Sequence, residues 1–370
     1  MASSPLRDLA LNDADYEAAI VLPPNEGFGA EAVGAIGLLV HRLARAGAGG
    51  LVLGMPLRGA PFPDVPFRPV TPGPGLTRAS RYIRGLRAAI RGAGPLLIEV
   101  HNRPEIALGL LGLGRPVSLI LNNDPQAMRG AVSARQRRHL LRRLALVMTS
   151  SDWLRRRLLD GVRDPARAPV VLHNCIDLPP PPSSPREDLI LFAGRVVRDK
   201  GADSFVEACG RVLSHLPGWR AEMIGADRFR ADSPDTDFLR DLRPRAEAAC
   251  VLMRGHLPND AVLDAMQRAA IVVVPSRWEE PFGLVALEAM ACGAALVCSR
   301  RGGLPEVAGE TALYAEPDDP EELAAAILRL ACDVGLRATL AAAARLRSEG
   351  FGAPEAASRL VTLRAEILAG

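Results

Sequence analysis

Short apolar runs alternate with longer stretches in which apolar residues recur every third or fourth position, and the alternation continues along the whole chain. In the first half the runs fall at 18–22, 50–54, 96–100, 117–121, 145–149 and 169–172. In the second half they fall at 189–193, 220–224, 251–254, 271–275, 295–298 and 312–314. The stretches between include 31–45, 78–91, 202–213, 260–268, 284–291 and 320–331. A run apolar at successive positions has no solvent-facing side, which predicts a strand buried on both faces; the wider spacing predicts a helix with one buried stripe. Such strands alternating with helices predict an α/β protein with parallel sheets covered on both sides.

The alternation breaks at Leu178-Pro179-Pro180-Pro181-Pro182-Ser183-Ser184-Pro185, where consecutive prolines resist helix and strand and make a stiff spacer. This predicts a Rossmann-like domain over 1–177, a linker over 178–187 and a second Rossmann-like domain over 188–350. A last helical stretch at 354–368, after the Phe351-Gly352 break, is expected to place 351–370 back on the first domain. Ligands of such sheets bind at the carboxyl ends of the strands, so two facing domains would enclose a cleft.

Composition narrows the picture by exclusion. A chain of 370 residues with 48% hydrophobic and 24% charged content fits a globular protein of two ordinary domains. A net charge of +3, with no aromatic-rich basic strand, gives no case for nucleic acid. The six cysteines form no Cys-x-x-Cys pair and do not cluster with histidine, so reduced core thiols and no metal site are expected. Residues 1–15 carry Asp8, Asp13 and Asp15 without an apolar run, unlike a signal peptide, and the most apolar stretch, 106–114, is too short to span a bilayer. A cytoplasmic protein follows, peripheral to a membrane at most.

Candidate chemistry begins with Lys200, the single lysine among 45 lysine and arginine residues. It lies in Phe192-Ala193-Gly194-Arg195-Val196-Val197-Arg198-Asp199-Lys200-Gly201, which reads as a strand, a glycine turn and a helix start. Such a turn favours an anion, through backbone amides and the helix dipole. A lysine is a compact point charge where arginine is a planar fork, so the two are not equivalent at a phosphate. A second strand-turn-helix segment runs Pro275-Ser276-Arg277-Trp278-Glu279-Glu280-Pro281-Phe282-Gly283-Leu284, and its helix carries Glu288. The helix is expected to begin near Gly283, with Glu280 just before it and Glu288 about a turn and a half inside it; eight residues are about two turns of continuous helix, so both carboxylates can face one cleft. Carboxylates accept hydrogen bonds from paired sugar or ribose hydroxyls. The bland alternative makes Glu280 a helix-dipole partner and Glu288 a solvated helix residue.

In order and spacing, these segments resemble the signatures of retaining GT-B glycosyltransferases of family 4. Glu280-x7-Glu288 followed by Ala289-Met290-Ala291-Cys292-Gly293 carries the resemblance most specifically. His173-Asn174-Cys175-Ile176-Asp177 resembles the element before the linker, with Cys175 in place of the usual glycine, and Arg301-Gly302-Gly303-Leu304-Pro305-Glu306 resembles a Gly-Gly-x-x-Glu turn. The likeness is dense over about 170–345 and thinner before it. It implies a GT-B fold of two Rossmann-like domains and transfer of a sugar from a nucleotide-sugar donor with retention of configuration, without a metal or other cofactor. Arg195 and Lys200 would hold the diphosphate, Glu288 the ribose and Glu280 the donor sugar; Arg195, Lys200 and Glu280 would carry catalysis. The amides of Phe282, Gly283 and Leu284 would contact the sugar or distal phosphate, and the loop with Gly255 and His256 would border the base.

The first domain is expected to supply the acceptor site. Pro23-Pro24-Asn25-Glu26-Gly27-Phe28-Gly29 resembles the family's glycine loop, although Phe28 separates Gly27 from Gly29. His101, Asn122 and Asp124 end strands and are candidate cleft or acceptor residues; relatives usually place histidine near Asn122. The basic stretch 135–157, with Leu140, Leu141 and Leu144 interleaved, reads either as a solvated helix or as a cationic, partly apolar face for weak binding to anionic membranes. A bacterial surface glycan or glycolipid, of the lipopolysaccharide-core or exopolysaccharide type, is the expected acceptor. The alternatives are a nucleotide-sugar binding protein with lost or altered activity and, on weaker grounds, an NAD-dependent oxidoreductase. Ala46-Gly47-Ala48-Gly49-Gly50 precedes its strand, whereas a dinucleotide fingerprint follows one.

Overall fold

The computed structural model describes residues 16–29, 34–91, 96–181, 184–227 and 235–370. The N-terminal segment 1–15, the expected helix start at 31–33 and linker positions 182–183 lie outside the described residues. The chain divides into two compact units. Unit 1 comprises Met1–Ser150, Leu154–Leu172 and Ala356–Gly370; unit 2 comprises Ser151–Trp153 and His173–Glu355.

Unit 1 is built on β1 (Ala18–Val21), β2 (Leu51–Gly54), β3 (Phe67–Pro69), β4 (Leu97–His101), β5 (Val117–Leu121), β6 (Leu146–Thr149) and β7 (Val170–Val171). These form one sheet in the order β3-β2-β1-β4-β5-β6-β7, and every neighbouring pair is parallel. Its helices are α1 (Ala35–Arg45), α2 (Arg78–Ile90), α3 (Pro104–Gly109) and α4 (Ala134–Arg143), while α5 (Asp152–Leu159) begins in unit 2 and continues into unit 1. Strands β1, β2, β4 and β5 are buried at every position, as runs without a polar face require.

Unit 2 carries β8 (Glu187–Ala193), β9 (Arg220–Ile224), β10 (Val251–Gly255), β11 (Ala269–Val274), β12 (Ala295–Cys298) and β13 (Ala312–Tyr314). Their order is β10-β9-β8-β11-β12-β13, again parallel throughout. Around them lie α6 (Ala202–Val212), α7 (Asp237–Ala248), α8 (Asn259–Arg268), α9 (Leu284–Ala291), α10 (Leu304–Ala308), α11 (Pro320–Cys332) and α12 (Val334–Ser348). One apolar cluster lies on each side of this sheet. Phe192, Phe205 and Ile327 belong to one, and Leu191, Met266 and Leu287 to the other. The last helix, α13 (Ala353–Ala369), takes the chain back into unit 1.

Both sheets therefore have the expected doubly wound parallel form. In each, the strand order reverses beside the first strand: β1 lies between β2 and β4, and β8 between β9 and β11. Among the elements that do not show in the apolar pattern, three have a plain cause. Strand β3 is a short, partly exposed edge ending in Pro69, and a proline confined to an edge carries little strand signal. Helix α7 holds Pro244 in its interior, and Thr236, capping its first turn, supplies the start. Helix α12 buries only Ala344 and Ser348, so it lacks a clear stripe.

Arginine forks close several chain ends. Arg186 donates to the carbonyls of Met266, Gln267, Ala269 and Cys292, Arg337 to those of Leu330 and Ala331, and Arg347 to those of Glu306 and Val307. Arg137 does the same with Ala131, Val132, Leu158 and Asp160. A planar fork satisfies two or more terminal carbonyls from one side chain, which an ammonium does less well.

The strongest such contact is Arg364 of α13. Its guanidinium donates to both carboxylate oxygens of Glu99, at 3.0 and 2.9 Å, and to the carbonyls of Ala48 and Gly49. Both side chains are 1% exposed. Burial pushes the Glu99 carboxyl up, but Arg364 and His101 more than reverse that and hold it well below the usual range. Removing one partner leaves a charge buried and unpaired, whereas removing both leaves no charge but still strips the Ala48 and Gly49 carbonyls of their donor. Arg364→Met should therefore lower the unfolding free energy by about 3–5 kcal/mol, and Glu99→Leu with Arg364→Met should recover the part due to the unpaired carboxylate but not the part due to the Ala48 and Gly49 carbonyls. Urea unfolding of the three proteins measures this; equal losses in the single and double variants would rule the pair out as the source.

Candidate functional site

The carboxyl ends of β8, β9 and β10 are joined through glycine turns. Gly194 donates to the Ile224 carbonyl at 3.0 Å, Val196 to Ala226 at 2.9 Å, and Gly225 to Gly255 at 2.8 Å. A Cβ on Gly225 would lie 1.7 Å from the Gly194 carbonyl oxygen, so no other residue fits without moving the turn. The chain then makes a short 3-10 turn, Arg198–Lys200, and enters α6 through Gly201 at φ +69°.

Gly201 lies against the loop that follows β11. A Cβ there would be 1.9 Å from the Pro275 carbonyl oxygen. The Asp199 carbonyl accepts hydrogen bonds from the amides of Arg277 and Trp278, each at 2.9 Å. This contact brings Lys200 to Glu280: Nζ donates to Oε1 at 2.5 Å, and the Ser276 hydroxyl donates to the same oxygen at 2.9 Å. The Glu280 carbonyl accepts from Gly303 at 2.7 Å, and Gly302 donates to Glu279 Oε2 at 2.6 Å. The Arg301–Glu306 turn thus supports the Glu279–Glu280 backbone from the end of β12.

Helix α9 begins only at Leu284, behind Gly283 at φ +107°. Glu280 therefore lies just before the helix, as expected, in a non-helical loop, and Glu288 lies half-buried within α9. Phe282 turns its ring inward against His173 and Phe351, with centroids 5.9 and 5.8 Å away, which leaves its backbone rather than its ring for a ligand. Arg195 is exposed beside the Gly194 turn, and His256 is exposed just after β10. Lys200, Glu280, Ser276 and the α9 start thus share the carboxyl edge of β8 and β11, while Gly255 reaches it through Gly225 and Gly194.

In unit 1 several of the expected residues have local partners. Phe28, between Gly27 and Gly29, is fully buried, stacked on Phe67 and edge-on to Phe62. Gly29 lies tight against the Ala60 carbonyl. Helix α1 starts at Ala35, and the Gly37 amide in its first turn donates to Glu26 at 2.9 Å, so a carboxylate of the chain itself sits at this helix start. His101 is buried with Nε2 3.4 Å from Glu99, and the Asn122 amide donates to the Asn102 side chain at 3.2 Å. Asp124 caps the turn at Gln126 and pairs with Arg157 at 2.8 Å.

Two polar constellations escaped the sequence reading. One is Arg277, in the loop after β11, which donates to the Arg198 carbonyl, Asp203 and Ser204. Within unit 2, Glu306 accepts from the amides of Asp152 and Trp153 and lies 2.8 Å from His173 Nε2. Burial pushes its carboxyl up, but the His173 contact and these amides outweigh burial and lower it. Neither is marked by spacing in the chain, because each joins residues distant in sequence. Among the described residues no cluster of histidine, cysteine, aspartate and glutamate could hold a metal, and no helix is long and apolar enough to cross a membrane.

The chain has the GT-B fold. It superposes on sucrose-phosphate synthase from Thermosynechococcus elongatus with a TM-score of 0.76 at 21% identity, over 95% of this chain and 99% of that one. It superposes on Anabaena HepE in complex with UDP with a TM-score of 0.75 at 19% identity, over 95% and 100%. Residues 187–333, from the end of the linker to just past α11, match the family described as glycosyl transferases group 1. Over 158 residues the chain is 37% identical to the D-inositol 3-phosphate glycosyltransferase of Acidothermus cellulolyticus; the match covers 41% of this chain and 35% of that enzyme. The matched stretch thus spans about a third of that relative.

Two outcomes follow from the geometry. Gly201→Ala places a side chain in the left-handed region and against Pro275, and should cost about 2–4 kcal/mol in thermal or urea unfolding. A parent-like stability would show that the two loops do not meet this closely. Because the folded pKa of Glu306 is depressed, its stabilising contribution is present above the ordinary carboxylate range and is lost as pH falls through the folded value. Glu306→Gln should therefore flatten the decline of melting temperature below about pH 4.5; parallel declines in both proteins would remove Glu306 from the account.

Proposed function

We propose that this protein is a retaining glycosyltransferase that transfers a sugar from a nucleoside-diphosphate sugar to a hydroxyl acceptor. The observation that carries this reading is the Lys200–Glu280 pair at the carboxyl edge of β8 and β11, inside the segment that matches the group 1 family. Without donor, the ammonium and carboxylate compensate each other. A diphosphate would draw the ammonium to itself and leave Glu280 and Ser276 to meet sugar hydroxyls. As the glycosidic bond breaks, negative charge grows on the leaving diphosphate, and a fixed ammonium there stabilises it, with Arg195 as a second cation. Glu288 is assigned to the ribose. UDP is the first donor nucleotide to test, because HepE, of the same fold, was solved with UDP. Fixed cations at the diphosphate support a reaction that needs no metal.

The acceptor has two readings, each with one supporting observation. On α4, Arg135, Arg138, Arg142 and Arg143 are exposed while Leu140, Leu141 and Leu144 are buried in the unit 1 core. That face is cationic without the apolar part expected from sequence, which favours a salt-sensitive encounter with an anionic glycolipid surface over insertion. The name of the Acidothermus relative favours a small phosphorylated polyol instead. Sedimentation with anionic liposomes at low and physiological salt, beside an assay on soluble polyol phosphates, separates the two.

UDP should raise the melting temperature and UDP-sugars should be slowly hydrolysed; if UDP, GDP and ADP sugars all fail to stabilise or turn over, the reading is wrong. Glu288→Ala should chiefly weaken nucleotide binding and Glu280→Ala chiefly lower kcat, and equal effects on both parameters from both would count against this division. Lys200→Arg keeps the charge and changes its shape, so it should lose most activity. Turnover in excess EDTA should match turnover with added magnesium.

A further inference from the structure

We propose that Arg277 is a positioning residue that holds the ammonium of Lys200 at the diphosphate site and is not itself a phosphate ligand; this rests on the donor-site reading above. Arg277 lies within the loop after β11, next to Ser276, where a third cation invites assignment to the phosphates. Its bonds point elsewhere. Nη1 donates to the Arg198 carbonyl at 2.8 Å and to Asp203 at 2.6 Å, Nη2 to the Ser204 hydroxyl at 2.7 Å, and Nε to Asp318 at 2.5 Å. Of the five N–H donors on a guanidinium, four are engaged, and two carboxylates offset its charge.

Those partners bracket Lys200. Arg198 and Asp199 precede it and Asp203 and Ser204 follow it; Arg277 grips Arg198, Asp203 and Ser204 with its side chain and Asp199 with its backbone amide. Ser204 in turn donates to the Pro317 carbonyl at 2.5 Å, and Asp318 comes from the same segment after β13. One planar fork thus ties the turn that carries Lys200 to two other loops of unit 2. A lysine at 277 could not span these partners, because its donors radiate from a single nitrogen.

The test combines hydrogen exchange of the unliganded protein with a double-mutant cycle on UDP affinity. Arg277→Lys should speed amide exchange over 198–201 and weaken UDP about tenfold, the size expected for losing one well-placed charged contact. In a Lys200→Ala background the same change should have little further effect on UDP, since the group it positions is gone. Asp318→Asn, which removes the most exposed partner, should act in the same direction more weakly and keep the fold if Arg277→Lys does not. Multiplying effects of Lys200→Ala and Arg277→Lys would mean that Arg277 meets the nucleotide directly, and would overturn the proposal. Unchanged exchange over 198–201 would overturn it too, as would a lowered melting temperature with parental UDP affinity. If the parent binds no nucleoside diphosphate, the donor-site reading itself has failed, and faster exchange in Arg277→Lys would then leave that residue a structural role only.

Discussion

The candidate site depends on one steric constraint: Gly201 must lie directly beneath the Pro275 carbonyl. Strand β8 has β11 as its neighbour although three helices and two strands separate them in the chain, so their trailing loops leave the sheet side by side. Without a Cβ at 201 those loops close to hydrogen-bonding distance, Asp199 bonds to Arg277 and Trp278, and Lys200 is delivered to Glu280. The sheet supplies the adjacency, glycine allows the contact, and the ion pair is the result. The Gly194–Gly225 contact repeats the solution on the other side of β8.

Unit 1 uses the same topology with different contents at its edge. Where unit 2 presents a cation at a glycine turn, unit 1 places the Glu26 carboxylate on the Gly37 amide of α1 and buries Phe28 among aromatic rings. A helix start already supplied with a carboxylate is a poor place for a second anion. The two sheets share an order of winding, yet their loops follow opposite electrostatic logic.

Much of the fold was legible because burial on both faces leaves a one-dimensional trace. The runs at 117–121, 220–224, 295–298 and 312–314 match β5, β9, β12 and β13 residue for residue. Edge strand β3 and the proline-bearing α7 were not legible, since one is half solvated and the other contains a residue that argues against helix. In the candidate site, Lys200 and Glu280 stood out by composition and motif. Their contact through a non-helical loop did not, because spacing in the chain cannot report a turn of that shape. Arg277 was invisible for a related reason: its partners come from two distant segments, 198–204 and Asp318, and nothing local distinguishes it from any other arginine. The leucines of α4 were misleading in the opposite sense, looking like part of a surface while completing the core.

The arginine forks at carbonyl ends divide this chain's cations into two populations with unequal freedom to change. On the outer face of α4 a guanidinium meets solvent, and a lysine would serve as well. At Arg137, Arg186, Arg337, Arg347 and Arg364 the side chain is a fixture of the backbone, closing carbonyls that would otherwise be stranded. Drift from arginine to lysine, harmless on most protein surfaces, would here loosen helix ends one after another. Redesign for solubility by wholesale lysine exchange would likewise strike the scaffold before it reached the surface.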